Sequence, residues 1–544
     1  MRYKFNAKEY NFSSSWVIFR TADEKLQSLY DRCEEACIRN LAVFTDKKVL
    51  REGSDYDGVW LETQPMGGEM YAKRNIEVAL NNQLIFMENQ RPSGRLPGMI
   101  KYGQPFLLQV FYDWLQGFCF PEPALRMYYL IGHDQKYLVL LQHCLKAFDE
   151  YLWEYRDSDH DGCLETGCTW DTGEDYSERF AKYNIPDGGW GGERAPSECG
   201  LPFASMDVMS YSFSAEKALS EIGRILQDGS DKYWKKKASC VREKIHSYLW
   251  REDRGACYDR NASHAFMDTL IHNNLRCMYY GSFTQKMADR FVHDHLMNTR
   301  EFWTPVPLPS IAANDPCFRN ISSNNWSGQP EGLTYQRAID ALENYGHRAE
   351  MVLLGKKWTG LLIRTGRLVQ QYDPFTGEPC HTRSGNKTDD PGHRYQNVSV
   401  IGPDGYGPTV LAALEYISRL CGVYVKKDTV LFSAASDMAP CSYTQHILGH
   451  DYTLEQDGEQ AEAFVDGVRK FTFTPGAAIL CSLDGSPVHI FGISEHAFCF
   501  AMKSIQGSSS ACIKTLLHPN EEYDLQPSIH SIRQVPFAEP WTPG

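Results

Sequence analysis

The stretch TWDTGEDYSERF, residues 169–180, sets Asp171, Glu174, Asp175 and Glu178 beside Trp170, Gly173 and Arg179. Carboxyl groups this dense repel one another, so the stretch is either a solvated loop or a site that uses carboxyls to move protons. Three other stretches carry residue types suited to such chemistry. They are DGVWLETQPMGGEMYAKRN (57–75), NNWSGQPEGLTYQRAIDALENYG (324–346) and RLVQQYDPFTGEP (367–379). Among them Glu62, Glu331 and Asp373 are carboxyls. Gln64, Asn75, Gln329, Gln370 and Gln371 are amides, which donate and accept at once and so read hydroxyl patterns. Trp60, Trp170, Trp190, Trp303 and Trp326 offer flat faces for sugar C–H groups, or pin loops by packing. His393, within DDPGHRYQN, is a lone loop histidine and weak evidence of chemistry.

These residues need a scaffold. From about 22 to 421 apolar positions recur at helical spacing: Tyr137, Leu141, Leu145, Phe148 and Leu152 form one stripe, and Ala218, Leu219, Ile222 and Ile225 another. Val410, Leu411, Leu414 and Ile417 form a third. Further helices are expected near 22–44, 70–90, 105–118, 122–131, 231–249, 264–275, 284–297, 331–346 and 349–364. Between them run long loops rich in Gly, Pro, Asn and Asp, at 46–69, 156–208, 300–330 and 366–406. Loops of that length in a compact domain are usually functional. No fixed repeat period marks a solenoid, so a closed double ring of helices fits better. After about 424 the pattern changes to short β-branched or alternating runs, such as TVLFSAA, KFTFTP, PVHIFGI and HAFCFAM. The expected organisation is an N-terminal arm over 1–20, a helical barrel over 21–423 and a β-sandwich over 424–544.

A net charge of −14 argues against a nucleic-acid surface and suits a small neutral partner. The 17 cysteines show no CxxC pairs, which speaks against zinc and for reduced thiols. No secretory h-region opens the chain and no membrane-length apolar run follows, so the expectation is a soluble cytoplasmic protein that does not touch membranes. DSDHDG (157–162) begins like a calcium loop, with acids at its first, third and fifth positions and glycine at its sixth. Position twelve is Cys168, however, where a bidentate glutamate belongs. Calcium at 157–165, bracing the acid loop, and an Asx-rich turn are both open; no other cofactor is expected.

Together the four stretches resemble the clan of inverting glycosidases that contains trehalases and processing α-glucosidases, glycoside hydrolase families 37 and 63. Trp170, Thr172, Gly173, Asp175, Ser177 and Arg179 match its loop Trp-x-Ser/Thr-Gly-x-Asp-x-Ser-x-Arg. Tyr372, Pro374, Thr376 and Gly377 match Glu-x-Tyr-x-Pro-x-Thr-Gly, while Trp326, Gly328, Tyr345 and Gly346 echo a Trp-x-Gly-Pro stretch and its helix. The likeness runs over roughly residues 55–420. It implies an (α/α)6 barrel, inversion at the anomeric carbon, exo action on a short α-linked oligosaccharide or α-glucoside, and Asp175 as general acid. Neighbouring carboxyls and burial would help that acid keep its proton. Where the clan carries its general base, this chain has Gln370, and an amide takes no proton from water. Glu331, at a loop-to-helix junction, is the substitute base; the helix dipole alone would also favour an acid there. Asp373 and Glu62 are further candidates, Glu62 being better suited to holding hydroxyls. The residues expected against substrate are Trp60, Glu62, Gln64, Trp170, Arg179, Trp326, Gln329, Gln370, Gln371, Tyr372 and Asp373. Two alternatives stay open: a phosphorylase, in which phosphate replaces water and base, and a sugar-binding protein that has lost its base.

Overall fold

The computed structural model describes residues 10–103, 107–321, 325–380, 404–506, 509–525 and 531–544. His393 lies outside them. The helices are α1 (Glu24–Arg39), α2 (Gln64–Tyr71), α3 (Ile76–Glu88), α4 (Pro121–Leu130), α5 (Gln135–Tyr155), α6 (Glu178–Ala181), α7 (Met206–Leu226), α8 (Asp231–Lys244), α9 (Asn273–Tyr280), α10 (Gln285–Phe291), α11 (Gly332–Asn344), α12 (Arg348–Thr365) and α13 (Gly407–Cys421). Six of them close an inner ring by neighbour contact, in the order α2, α4, α7, α9, α11, α13 and back to α2. The alternate helices α1, α3, α5, α8, α10 and α12 form the outer layer, and short α6 sits in the acid-rich loop. This is the (α/α)6 architecture.

Position in the rings explains composition. α13 buries every one of its residues and α11 buries Gly332–Glu343, so neither has a solvent face. Outer α8 buries only Trp234, Ala238 and Val241. At their N-termini α11 and α13 approach so closely that a Cβ on Gly332 would lie 2.7 Å from the Thr409 Cα. Because inner and outer helices alternate along the chain, all six inner helices run the same way. The described segments ahead of their N-termini (52–63, 114–120, 165–205, 259–272, 325–331, and 368–380 with 404–406) therefore gather at one end of the barrel.

The C-terminal part is antiparallel. A seven-stranded sheet takes in Cys441–Ile447 and pairs it with Trp16–Thr21 from the N-terminal arm. A six-stranded sheet packs on it, with the Phe432 ring 5.6 Å from Phe471 and 6.4 Å from Tyr452. α13 passes directly into the first strand, Gly422–Lys426. The junction is also held by Asn520, whose Oδ1 accepts the Ala349 N–H at 2.8 Å and whose Nδ2 donates to Glu350 at 2.8 Å.

Four helix expectations need correction. The helix placed at 70–90 begins at Ile76, and a separate helix, Gln64–Tyr71, occupies the end of the expected loop 46–69. The segment 105–118 holds a strand, Leu107–Phe111, which pairs with Met99–Gly103; a short apolar run does not reveal its period until a partner strand does. The first helix stops at Arg39, and Leu41–Phe44 forms a hairpin with Lys47–Leu50. The helix placed at 264–275 begins at Asn273, after an irregular approach. Among the described residues no helix is long and apolar enough to cross a membrane.

Candidate active site

The crowding of carboxyls in 169–180 is resolved by burial against cations. Asp171 is fully buried with Arg156, Nη1 to Oδ2 2.9 Å, and accepts the N–H groups of Leu115 and Gly167. Glu174, also fully buried, takes bonds from Arg179 Nη2 at 2.5 Å and Asn273 Nδ2 at 2.8 Å. With these neighbours committed to the scaffold, Asp175 is left partly exposed at the rim. Its backbone is fastened to the stretch before α11. The Trp326 N–H donates to the Asp175 carbonyl at 3.1 Å, Ser177 Oγ donates to the Trp326 carbonyl at 2.9 Å, and the Glu178 N–H donates to Ser327 Oγ at 2.7 Å. Asn325 Nδ2 adds a bond to the Tyr176 carbonyl at 2.9 Å.

Glu62 supports the loop from below. Its carboxylate accepts Gln116 Nε2 and Arg337 Nη2, each at 2.9 Å, and lies directly under Gly173, which has φ +70°. A Cβ on Gly173 would come within 2.5 Å of Glu62 Oε2. Glycine is required here for backbone conformation and for space together.

Across the site, residues 330–332 pair with 370–372, the Gly332 N–H donating to the Gln370 carbonyl at 3.0 Å. Glu331 is the N-cap residue of α11, yet its side chain caps nothing. It turns instead to Gln371 Nε2, 2.5 Å from Oε1, and to Gln370 Nε2, 3.2 Å from Oε2. Gln370 Oε1 in turn accepts Tyr56 Oη at 2.9 Å. Burial raises the Glu331 carboxyl well above its ordinary range; the two amides pull it down, and the charges of Glu62 and Asp175 push it further up. Glu52 behaves alike. Burial and the charge of Glu62 raise it, against a 2.8 Å hydrogen bond from Tyr406 Oη, with Asp175 adding to the rise. The N-termini of six inner helices point into this region, and their partial positive charge helps it hold so many acids.

Several residues expected against substrate are instead internal. Arg179, 2% exposed, bridges Glu174 and Asp259 (2.8 Å), because a buried guanidinium needs carboxylates on both sides. Tyr372 is fully buried and donates to the Arg367 carbonyl at 2.7 Å. Gln64 folds back on the Trp60 N–H at 2.9 Å, Gln329 donates to Asn320 at 2.9 Å, and Asn75 caps α3. Asp373 closes its own turn by accepting the Phe375 and Thr376 N–H groups, and Asn320 Nδ2 donates to it at 2.7 Å. Trp326 is 2% exposed with Arg276 over its ring, and Trp303 is buried. Trp190 is exposed, its ring N–H on the Arg194 carbonyl. Trp60 and Trp170 are partly exposed, edge-on to Tyr56 and Trp114 respectively.

The calcium-like loop turns its acids on itself. Asp157, Asp159 and Asp161 accept the N–H groups of Gly162, Asp161 and Cys163, and Lys244 Nζ sits 2.7 Å from the Asp161 carbonyl. Position twelve, Cys168, is buried. These bonds form Asx turns, while Asp159 and Asp161 each bring a carboxylate oxygen within 4.8 Å of one another and of a His264 ring nitrogen, a grouping that could hold a cation.

Sequence reasoning missed Glu52, Tyr56, Gln116, His272, Asn273, Arg276, Arg337 and Tyr406. No local pattern marks Glu52 or Tyr56. His272, Asn273 and Tyr406 share one detectable signal, a position at the start of an inner helix. The arginines are committed: Arg337 to Glu62, Arg179 to Glu174 and Asp259, and Arg276 to the Thr172 carbonyl, with Asp207 at 3.7 Å. Burial and the charges of Arg276, Arg337 and Arg179 hold His272 well below its usual range, so the imidazole is neutral.

This geometry sits within a known group of proteins. The mannosylglycerate hydrolase MGH1-like glycoside hydrolase domain matches residues 61–389. The chain belongs to this family. A cytosolic neutral trehalase from Kluyveromyces lactis is 23% identical over 194 residues, 34% of this chain and 25% of the trehalase, so the shared part spans a quarter of that relative. Among solved structures, the GH63 mannosylglycerate hydrolase from Thermus thermophilus, in complex with glucose, is similar with TM-score 0.56 and 16% identity. The match covers 72% of this chain and 100% of that one. Streptomyces avermitilis α-L-rhamnosidase, complexed with L-rhamnose, is similar over 94% of this chain and 42% of its own, with TM-score 0.53 and 10% identity. At such identities the likeness is one of fold: the (α/α)6 barrel with an antiparallel sheet region attached.

Proposed function

We propose that this protein hydrolyses a short α-linked oligosaccharide or α-glucoside from its end, with inversion at the anomeric carbon. Asp175 is the general acid and Glu331 the base that takes the proton of the attacking water. The observation that carries this reading is the 3.2 Å hydrogen bond from Gln370 Nε2 to Glu331 Oε2. It sets a carboxylate one hydrogen bond away from the position where the resembling clan keeps its base. Gln370 and Gln371 orient that carboxylate, and Tyr56 orients Gln370. An inverting pair holds its carboxyls roughly 6.5–9.5 Å apart, with the water between. Asp175 and Glu331 stand on facing loops, linked through Asn325, which reaches the Tyr176 carbonyl and whose own carbonyl accepts Gln371 Nε2 at 3.1 Å.

The charges of Glu62 and Asp175 act on both Glu52 and Glu331, and the nearby arginines are committed, so the region favours a neutral sugar over an anionic one and offers no ready place for phosphate. The substrates named for similar proteins, trehalose and mannosylglycerate, therefore separate by charge, and the neutral one is expected to be the better.

The test is a panel of α- and β-linked disaccharides and glycosides, mannosylglycerate included, with and without phosphate, the released anomer followed by proton NMR. Cleavage without phosphate to the inverted anomer, abolished by Asp175→Asn, supports the reading. Phosphate-dependent turnover or sugar binding without cleavage overturns it. Because the raised pKa keeps Glu331 protonated further up the pH scale, the rate must climb as pH rises through that value. The acidic limb of kcat/KM therefore lies above the ordinary carboxylate range. Glu331→Gln should remove this limb and lower kcat about 10²–10⁴-fold.

A further inference from the structure

At the opposite end of the barrel, where inner helices α7, α9 and α11 finish, lies a cleft of about 790 Å³. Its lining carries five cations, Lys217, Arg224, Lys235, Arg242 and Arg533, against two acids, Glu221 and Asp231. In a chain of net charge −14 that is a marked local reversal. Glu221 is already engaged by Lys427 at 2.7 Å and by Tyr129 Oη at 2.9 Å. Among the described residues, Lys217, Arg224, Lys235 and Arg242 enter no ion pair. Most cations elsewhere in the barrel wall are matched: Arg126 pairs with Asp340 at 2.8 Å, Arg419 with Glu343 at 3.3 Å, and Lys73 with Glu415 at 2.7 Å.

The cleft is also shaped. The Arg242 guanidinium stands over the Phe213 ring at 5.3 Å, and Phe283 and Tyr345 extend the apolar floor. Arg533 comes from the C-terminal sheet region and is fixed by Gln285 Oε1 and by the Tyr345 carbonyl at 3.0 Å. Ser220, Ser239 and Asn344 add hydroxyl and amide groups to the wall. Cations drawn to helix C-termini by the dipole alone would each sit on a terminal carbonyl. Arg533 sits on one, and Arg224 and Arg242 lie in the last turns of α7 and α8, but Lys217 and Lys235 lie within their helices, away from the last turn.

We propose that this cleft binds a small phosphate-bearing molecule, the phosphate among the converging cations and the organic part on the aromatic floor. Arg533 makes the site a joint product of the barrel and the sheet region. The site is separate from the glycosidase chemistry and stands whether or not that reading does.

The full-length protein is titrated calorimetrically with inorganic phosphate and with a hexose phosphate, in excess free hexose so that the sugar site is filled. The expected result is saturable binding of the hexose phosphate that weakens as salt is raised. It should survive in Asp175→Asn and weaken at least tenfold in Arg224→Glu/Lys235→Glu. Those two positions are exposed, so folding is not at stake, and the milder Lys235→Gln should give a smaller loss in the same direction. The charge-matched control is Lys25→Glu/Lys514→Glu, at exposed positions away from the cleft. Equal weakening in the control, binding of inorganic phosphate alone, or no binding of either ligand at millimolar concentration overturns the proposal.

Discussion

Replacing Gly173 by alanine separates backbone strain from displacement of the acid loop. At φ +70° any side chain incurs the left-handed penalty, about 1–2 kcal/mol. The new Cβ would also lie 2.5 Å from Glu62 Oε2, while real Cβ contacts stay beyond 3.0 Å, so something must move by at least about 0.5 Å. Glu62 is held by Gln116 and Arg337, each at 2.9 Å, so the loop gives way and Asp175, two residues on, moves with it. A shift of about 1 Å in a reacting group can cost on the order of 10²-fold, so the expected loss in kcat is about tenfold to a hundredfold. Gly162→Ala is the control: its φ is +80° and nothing lies within 4 Å of the added Cβ. Both variants should lose stability in a thermal melt, Gly173→Ala the more because its Cβ also meets Glu62, and only Gly173→Ala should lose kcat on the α-glycoside selected by the hydrolysis panel. Equal kcat in the two variants would refute the argument that Glu62 props the loop.

Two further outcomes follow from buried charges. Arg179→Met strands Glu174 and Asp259 and should destabilise the fold by about 3–5 kcal/mol in urea unfolding. Because Arg179 is buried and its guanidinium is spent on Glu174 and Asp259, KM measured on the folded fraction should stay near the parent value. Burial alone would lower His347, but hydrogen bonds to Asp289 (3.0 Å) and Glu350 (3.1 Å), with the charges of both, raise it to about 9. Its stabilisation is complete below its unfolded value of about 6.5 and fades as pH rises towards 9, a loss of roughly 3 kcal/mol. Since Glu350 also holds Asn520 and the Ala538 N–H, the barrel–sheet junction should loosen over that window, and His347→Gln should flatten the pH dependence of the melting temperature.

Local pattern was enough for much of the architecture. The stripes of 135–155 and 209–228 and the β-branched runs after 424 are short-range signals, and they appear as α5, α7 and the two sheets. The order Trp170, Gly173, Asp175, Ser177 pointed to the carboxyl-rich loop, because turn chemistry and spacing belong to neighbouring residues. Which carboxyls are braced and which face the site is a different kind of fact. Glu174 and Asp175 are adjacent and chemically alike, yet Arg179, Asn273 and burial take the first into the scaffold and leave the second at the rim. Arg179, Tyr372, Gln64 and Asp373 looked equally fit to meet a sugar until their partners were known. Glu52 and Tyr406 stand 354 positions apart in the chain and share one hydrogen bond. Burial and partner identity are set by contacts between distant segments, and a polar side chain acquires its role only when the fold has decided what surrounds it.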